Sequence, residues 1–228
     1  MPRVYRFIDR ELGSMVSVWR AVPICLTGLG AICRLEPVRA RPGGHQELAG
    51  DAMQTDPDSD MIPAWVDGTL TAVGKLEVHQ RGLRHKAVSV FVLCGGDLLI
   101  QRRAMGKYHT PGLWANTCCT HPHWNETPKA CAHRRLHQEL GVQGLTLTYR
   151  DQVEYRADVG GGLIEHELVD IFVARVDRRI ECRPNPDEVM QTDWITLDNL
   201  RARIHATPER FTPWLRIYLQ QHAGQIFA

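Results

Sequence analysis

No stretch of this 228-residue chain strings together the apolar residues of a membrane-spanning helix, which takes roughly 20 of them. Stable insertion into a bilayer is therefore not expected. Charge of one sign is also lacking: 27 Lys and Arg face 26 Asp and Glu, for a net charge of +1. Nothing global then points to a nucleic acid or to an anionic lipid surface as partner. No Cys-x-x-Cys pair occurs. The seven cysteines (Cys25, Cys33, Cys94, Cys118, Cys119, Cys131 and Cys182) are odd in number, and two are adjacent. That excludes a zinc ribbon and argues against a disulfide framework. Reduced thiols in a cytoplasmic protein are the simpler expectation. Internal repeats and a regular βαβ alternation are missing as well. What remains is an ordinary globular composition, 43% hydrophobic and 23% charged, long enough for one well-buried core.

The first 60 residues differ from the rest. Up to Pro42 their positive charge is all arginine. The apolar run over 21–33 is short and broken by Pro23, Gly28 and Gly30. As a lipidated signal sequence it lacks the small residue expected just before Cys33. Residues 39–60, rich in Gly, Pro, Asp and Gln, read as a linker. The expectation for 1–60 is an N-terminal extension, disordered or translated from a misassigned start, with Met53 and Met61 as alternative starts. A globular domain is expected over 61–228.

Within that domain the β-branched run 87–94, the turn Gly95-Gly96-Asp97 and the apolar 98–100 predict a hairpin. Thr127 and Pro128 supply an N-cap and N1 pair, and Gly141 a C-cap, so the spacing predicts a helix between them. On it Ala132, Leu136 and Leu140 form one stripe, and Cys131, Arg135 and Glu139 another. Strands are expected over 145–149, 152–156, 163–176 and 194–195. A short helix should begin at Leu197 under a Thr196 cap, and a final helical region at Thr207-Pro208. The fold class is α+β, a mixed sheet sandwiched between helices.

Two short stretches carry chemistry. Asn116-Thr117-Cys118-Cys119-Thr120-His121-Pro122 offers a thiol and an imidazole two residues apart. Glu165-His166-Glu167 offers two carboxylates two residues apart inside a strand-like run, so both point to one face of the strand and His166 to the other. If the strand reaches the His121 loop, thiol, imidazole and carboxylates converge. That is enough for a metal site beside an acid/base pair. A lone cysteine is more often a small buried hydrophobe, and Cys118 is read that way.

The segment Glu126-x7-Arg134-Arg135-Leu136-His137-Gln138-Glu139-Leu140-Gly141-Val142 resembles a degenerate Nudix box. Thr120, Arg135 and Gln138 stand where the box has a glycine and two glutamates. Loss of those acids argues against a Nudix diphosphate hydrolase, the alternative reading. A non-catalytic diphosphate-binding module, a third reading, would have no need of the thiol.

The flanking motifs resemble the type I isopentenyl-diphosphate isomerases within the Nudix superfamily. They are Lys75-x3-His79-x5-His85, Gln101-Arg102-Arg103-Ala104-x2-Lys107, Pro111-Gly112-x-Trp114-x-Asn116, Cys119-x-His121-Pro122, Glu154-Tyr155-Arg156, Glu165-His166-Glu167, Asp187-Glu188-Val189 and Phe211-Thr212-Pro213-Trp214. They run in family order from about Met61 to Gln221. The chain departs from the pattern in a shorter His79–His85 spacing and in Thr120 and Asn125, which replace glycines. A β-branched residue at 120 would be strained if that position needs a positive φ.

The resemblance implies an allylic shift of isopentenyl diphosphate to dimethylallyl diphosphate through a tertiary carbocation, supplying isoprenoid biosynthesis. It implies Cys119 and Glu167 as the acid/base pair, Tyr155 hydrogen-bonded near Glu167, and Trp214 with its ring against the cation. It implies His79, His85, His121, Glu165 and Glu167 as ligands of Mn²⁺, Zn²⁺ or Mg²⁺. Lys75, Arg103, Lys107 and Arg135 would contact the diphosphate. Glu139, with the Cys119 backbone carbonyl, would hold Mg²⁺ carried in with it. The partner implied is a small prenyl diphosphate, and a monomer is expected. His45, His109, His123, His133, His137, His166, His205 and His222 are left as background. Arg102, Arg134 and Glu126 are read as structural.

Overall fold

The computed structural model describes the backbone of three strands before residue 61 and then residues 61–227. The three strands are β1 (Val4–Phe7), β2 (Ser17–Ile24) and β3 (Ile32–Pro37), an antiparallel sheet in the order β1-β2-β3. The rest of the expected extension and its linker lies outside the described residues. The chain divides into two units, 1–53 and 54–228, and only the second carries the motifs above.

The second unit is built on a nine-stranded mixed sheet. Its strands are β4 (Met61–Val66), β5 (Thr69–Gly74), β6 (Arg84–Cys94), β7 (Asp97–Arg103), β8 (Trp114–Ala115), β9 (Cys118–Thr120), β10 (Thr148–Gly160), β11 (Leu163–Val176) and β12 (Val189–Thr196). The main path runs β10-β11-β6-β4-β5, with β7 and β9 also pairing with β6, and β8 and β12 with β7. All pairings are antiparallel except β6 with β11. The helices are α1 (Lys75–Arg81), α2 (Pro128–Leu140), α3 (Leu197–Ala206), α4 (Pro213–Gln221) and α5 (Ala223–Phe227).

From Ala87 to Leu93 β6 is apolar apart from Ser89, because it is covered on both sides, as a central strand with a parallel neighbour must be. Val88, Val90 and Val92 face one core with Ala132, Leu136 and Leu140 of α2. Ala87, Phe91 and Leu93 face the other, with Leu215, Tyr218 and Leu219 of α4 and Leu200 and Ile204 of α3. Ser89 falls on this second face by period-2 alternation. The expected sandwich of sheet between helices is what the structure has. Leu136 is 1% exposed and Leu140 0%, so truncation of either to Ala should cost about 2–5 kcal/mol.

The α2 boundaries are those read from its caps. Thr127 Oγ1 accepts from the Ala130 amide, and Gly141 closes the helix in the left-handed region at φ 66°. Other expectations change. Of the strands expected at 145–149 and 152–156, residues 148–149 and 152–156 fall in one strand, β10, which has an irregularity between Tyr149 and Asp151, and 145–147 lie before it. β12 is longer than 194–195, because backbone pairing with β7 extends it through a polar stretch that no alternation marks. Thr207-Pro208 opens only a single 3-10 turn, Pro208–Arg210. The helix proper waits for Thr212-Pro213, a second Thr-Pro pair. Thr120 lies in β9 and is not among the positive-φ residues, whereas Asn125 takes φ 66°. Thr120 is therefore unstrained, and Asn is the residue that tolerates the left-handed region.

Candidate active site

Register assembles the site. Glu167 of β11 stands opposite Tyr155 of β10 on one side and His85 of β6 on the other. Four residues along β6, on the same face, Ser89 stands opposite Cys119 of β9. His121 follows β9 two residues after Cys119 and points the same way. Glu165 and Glu167 are 2% and 0% exposed. His79 arrives from α1, one turn after Lys75, with its Nδ1 2.7 Å from the Lys75 carbonyl.

Tyr155 donates to Glu165 Oε2 at 2.8 Å and lies 2.7 Å from Glu167 Oε2. Glu167 Oε1 is 2.9 Å from His121 Nε2 and 3.7 Å from His85 Nε2. His85 and His121 bring their Nε2 atoms within 3.2 Å of each other. Burial raises the Glu165 carboxyl well above its ordinary range, and the charge of Glu167 adds to the effect. Burial also pushes Glu167 up, but the hydrogen bond from His121 and the nearby His85 imidazole outweigh it and hold that carboxyl well below its range. The two carboxyls therefore titrate as a coupled pair pushed apart, Glu165 holding its proton the more readily. Burial lowers His79 to about 4 and His121 well below its ordinary value, so both imidazoles are neutral near pH 7.

Donor chemistry tests whether these residues fit a divalent cation, and they do. His79, His85, His121 and Glu167 each offer a ligand atom, all within 4.8 Å of one another. Backbone carbonyls occupy Nδ1 of His79 and, at 2.7 Å from Leu83, of His85. That fixes the tautomer and leaves Nε2 lone pairs facing inward. The His79 Nε2 atom is buried and has no hydrogen-bond partner. Nε2 of His85 and Nε2 of His121 lie 3.2 Å apart beside Glu167 Oε1, so these donor atoms already converge. Neutral His79 and His121 imidazoles and a carboxylate are the state in which these groups ligate a metal.

Cys119 Sγ accepts a hydrogen bond from Ser89 Oγ at 3.2 Å, and Ser89 Oγ lies 2.9 Å from the Tyr218 hydroxyl. Burial raises this thiol well above its ordinary range, with Glu167 and Glu165 adding to the rise. Asn116 braces the loop, donating to the Val90 and Cys118 carbonyls at 3.1 and 2.9 Å. Cys118 is fully buried in the α2 core, as read.

One pocket is lined by Lys75, Arg103, Lys107, Arg135 and Glu139 together with Cys119, His121, Glu165, Glu167 and Trp214. Every residue singled out for chemistry is in this chamber or hydrogen-bonded to its wall. A larger apolar groove, about 400 Å³ between α3 and α4, holds none of them. Glu139 takes Arg135 Nη2 at 2.7 Å on one oxygen and Gln101 Nε2 at 2.8 Å on the other. Glu188 pairs with both Lys107 and Arg135, the latter at 3.1 Å. Trp214 is 1% exposed, with the Arg103 guanidinium 5.3 Å from its ring centroid.

Four residues in or behind the pocket wall have no site role in the sequence reading. His109, counted there as background, is buried against His79, with Nε2 3.7 Å from Glu165 Oε1. Ser89 and Tyr218 carry no motif signal, and Gln101 opens a motif without a role of its own. The alternation of β6 around Ser89 was the one visible hint. His166, by contrast, points away and reaches Glu154 at 3.2 Å. Arg134 holds Glu126 through two bonds of 2.7 and 2.6 Å, and Glu126 also accepts from the His123 amide. Arg134→Ala should therefore lower the melting temperature by a few degrees, through about 1–2 kcal/mol of lost charged hydrogen bonding, with kcat within twofold of the parent. A calorimetric scan beside an initial-rate assay checks this.

The NUDIX domain model matches residues 83–215. The chain is 62% identical over 168 residues to a Dinoroseobacter shibae protein called isopentenyl-diphosphate Delta-isomerase, covering 74% of this chain and 96% of that protein. It is 64% identical over 167 residues to one of the same name from Roseobacter denitrificans, covering 73% and 95%. The crystal structure of DR0079 from Deinococcus radiodurans superposes with a TM-score of 0.56 at 16% identity, covering 71% of this chain and 97% of that one, a likeness of fold alone. Among the described residues no helix is long and apolar enough to cross a membrane.

Proposed function

The chain belongs to the isopentenyl-diphosphate Delta-isomerases, on a NUDIX domain, and we propose that the buried chamber around Glu167 is where its isomerase chemistry runs. Interconversion of isopentenyl and dimethylallyl diphosphate moves a double bond by adding a proton at one carbon and removing one from another. A tertiary carbocation lies between. Such a cation survives only where water is kept out and the proton donor and acceptor are held in place.

The observation that carries the reading is that Glu167 and Cys119 line one pocket, each held by its own hydrogen-bond partners. Glu167 and Cys119 form the acid/base pair. Tyr155, with its hydroxyl within hydrogen-bond reach of both carboxyls, keeps Glu167 oriented. Trp214 lines the pocket with a ring face suited to a cation, a contact worth up to about 2 kcal/mol when desolvated. Lys75, Arg103, Lys107 and Arg135 bind the diphosphate, and Glu139 receives Mg²⁺ brought with it, alongside the Cys119 carbonyl. His79, His85, His121, Glu165 and Glu167 hold Mn²⁺, Zn²⁺ or Mg²⁺. A divalent cation there supplies positive charge that steadies Glu167 and tunes its acidity. Arg135 sits where a Nudix hydrolase would have an acid, and its ion pair with Glu139 counts against hydrolysis. The protein works in the cytoplasm as a monomer.

Proton NMR of isopentenyl diphosphate with the protein and Mg²⁺ in D₂O tests this. Deuterium-bearing dimethylallyl diphosphate is the expected product. Release of inorganic phosphate without isomerisation would instead mean a hydrolase.

The cationic wall makes a pH prediction. Burial, then the charges of Arg135, Lys107 and Arg103, lower the Lys75 amine to about 8. It is charged below that pH and neutral above it, so diphosphate capture weakens as pH rises through 8. kcat/KM should fall on that alkaline limb, and Lys75→Arg should move the limb upward. An unchanged limb in Lys75→Arg would assign it to another group.

A further inference from the structure

We infer that His109 is a sixth protein donor of the cation site, ligating from the Glu165 side. The inference rests on the metal reading above and adds a residue that reading does not contain.

The described residues hold two donor groups that share His79. One is His79, His85, His121 and Glu167; the other is His79, His109 and Glu165, whose ligand atoms also lie within 4.8 Å of one another. All three of the second group are buried. His109 Nε2 faces Glu165 Oε1 at 3.7 Å, too long for a hydrogen bond. The other Glu165 oxygen is already taken by Tyr155. Nε2 of His79, the nitrogen its backbone bond leaves over, is buried without a partner. So three inward atoms, from three residues, surround a space and none satisfies another. An ion with bonds of about 2.1 Å sets neighbouring ligand atoms about 3.0–3.4 Å apart, a little closer than the 3.7 Å between His109 and Glu165.

The loop is built to hold this ring. His109 Nδ1 lies 3.1 Å from Thr110 Oγ1, and its carbonyl accepts from Arg103 Nη2 at 3.1 Å. The ring stacks on His79 at 5.6 Å and 24°. Thr110 holds φ 46°, a left-handed conformation that is costly for a β-branched residue. Strain of that kind persists where the surroundings fix it, and it gathers at ligand sites. With Nδ1 engaged on Thr110, Nε2 is the atom left for a metal. Four imidazoles beside two carboxylates favour a borderline transition ion over Mg²⁺.

Proton NMR of the full-length protein loaded with Co²⁺ decides it. Each ligating imidazole contributes one strongly shifted, solvent-exchangeable N–H signal. Four are expected in the parent, from His79, His85, His121 and His109, and three in His109→Gln. Competition titration should show His109→Gln binding Co²⁺ at least about tenfold more loosely, with Mg²⁺ affinity changed less. Three signals in the parent would overturn the inference without any variant, and would leave the His79, His85 and His121 site standing. Looser binding in His109→Gln with an unchanged count would overturn it too, making His109 a positioning residue. No Co²⁺ uptake at all would bring down the metal reading itself.

Discussion

Cys119→Ala should lose at least a thousandfold in kcat while folding and binding substrate as the parent does. The side chain removed is small, and its loss leaves the backbone braces of Asn116 in place. What disappears is one end of a proton transfer, and general acid–base groups contribute about 10²–10⁴-fold. An unactivated alkene stands at the upper end of that range, because it is a very weak base whose protonation needs a well-placed acid. Glu167→Gln should be equally inactive, but for two reasons at once. The amide cannot exchange the proton, and it weakens the cluster in which Glu167 faces His121 and His85. The double variant should be little worse than either single one, since groups that act as a unit are not additive. The readouts are product formation in D₂O and diphosphate affinity by calorimetry. A Cys119→Ala enzyme within tenfold of the parent would remove the thiol from the acid/base pair and leave Glu167 working with another partner.

Local rules made much of this site readable. A strand places residues i and i+2 on one face, so Glu165 and Glu167 had to share a wall and His166 had to leave it. Thr, Pro and Gly punctuated α2 closely enough to place Arg135 and Glu139 one turn apart on one helix. Missing were contacts that depend on which strands become neighbours. Ser89 reads as one polar residue in an apolar strand until β9 pairs with β6 and sets Cys119 opposite it. Tyr218 joins only because α4 packs across that face. Residue type and spacing say nothing of such long-range pairing. His109 was lost for a different reason. With 11 histidines in the chain, an isolated one carries little weight, and its neighbour Thr110 gives no sign in sequence that its backbone is left-handed. β12 shows the same limit at the level of the fold. Its polar middle looks like a loop, and the ladder with β7 makes it a strand.

Metal removal should show the cost of burying two carboxylates on one strand face. In the metal-free fold, burial and the charge of Glu167 keep the Glu165 carboxyl protonated well above its ordinary range, whereas the unfolded chain releases that proton near pH ~4.3. A raised carboxyl gives stability that is present at low pH and is lost as pH rises through its folded value. The lowered histidines act oppositely. His79, at about 4 in the fold, costs stability as pH falls below ~6.5, the value of a free imidazole. The two effects oppose each other in acid; above about pH 6.5 the histidine contribution has ended, and Glu165 acts without opposition until Lys75, at about 8 in the fold, begins to lose its proton and adds stability back. The chelated protein should therefore lose melting temperature from about pH 6.5 to about 7.5. The loaded protein should stay flat across that window, because the cation replaces the proton. At 100-fold excess over Kd, loading adds about 2.7 kcal/mol, or roughly 5–10 °C for a domain of this size, with the gap widening toward about pH 7.5. Glu165→Gln takes away the titrating group, so its chelated form should melt at a temperature independent of pH over the same window. Scanning calorimetry with EDTA and then with Mn²⁺ added back measures each quantity. If the chelated parent showed no slope while Glu165→Gln matched it, no proton would be shared by the pair. If chelation changed no melting temperature at any pH, the His/Glu cluster would hold no metal.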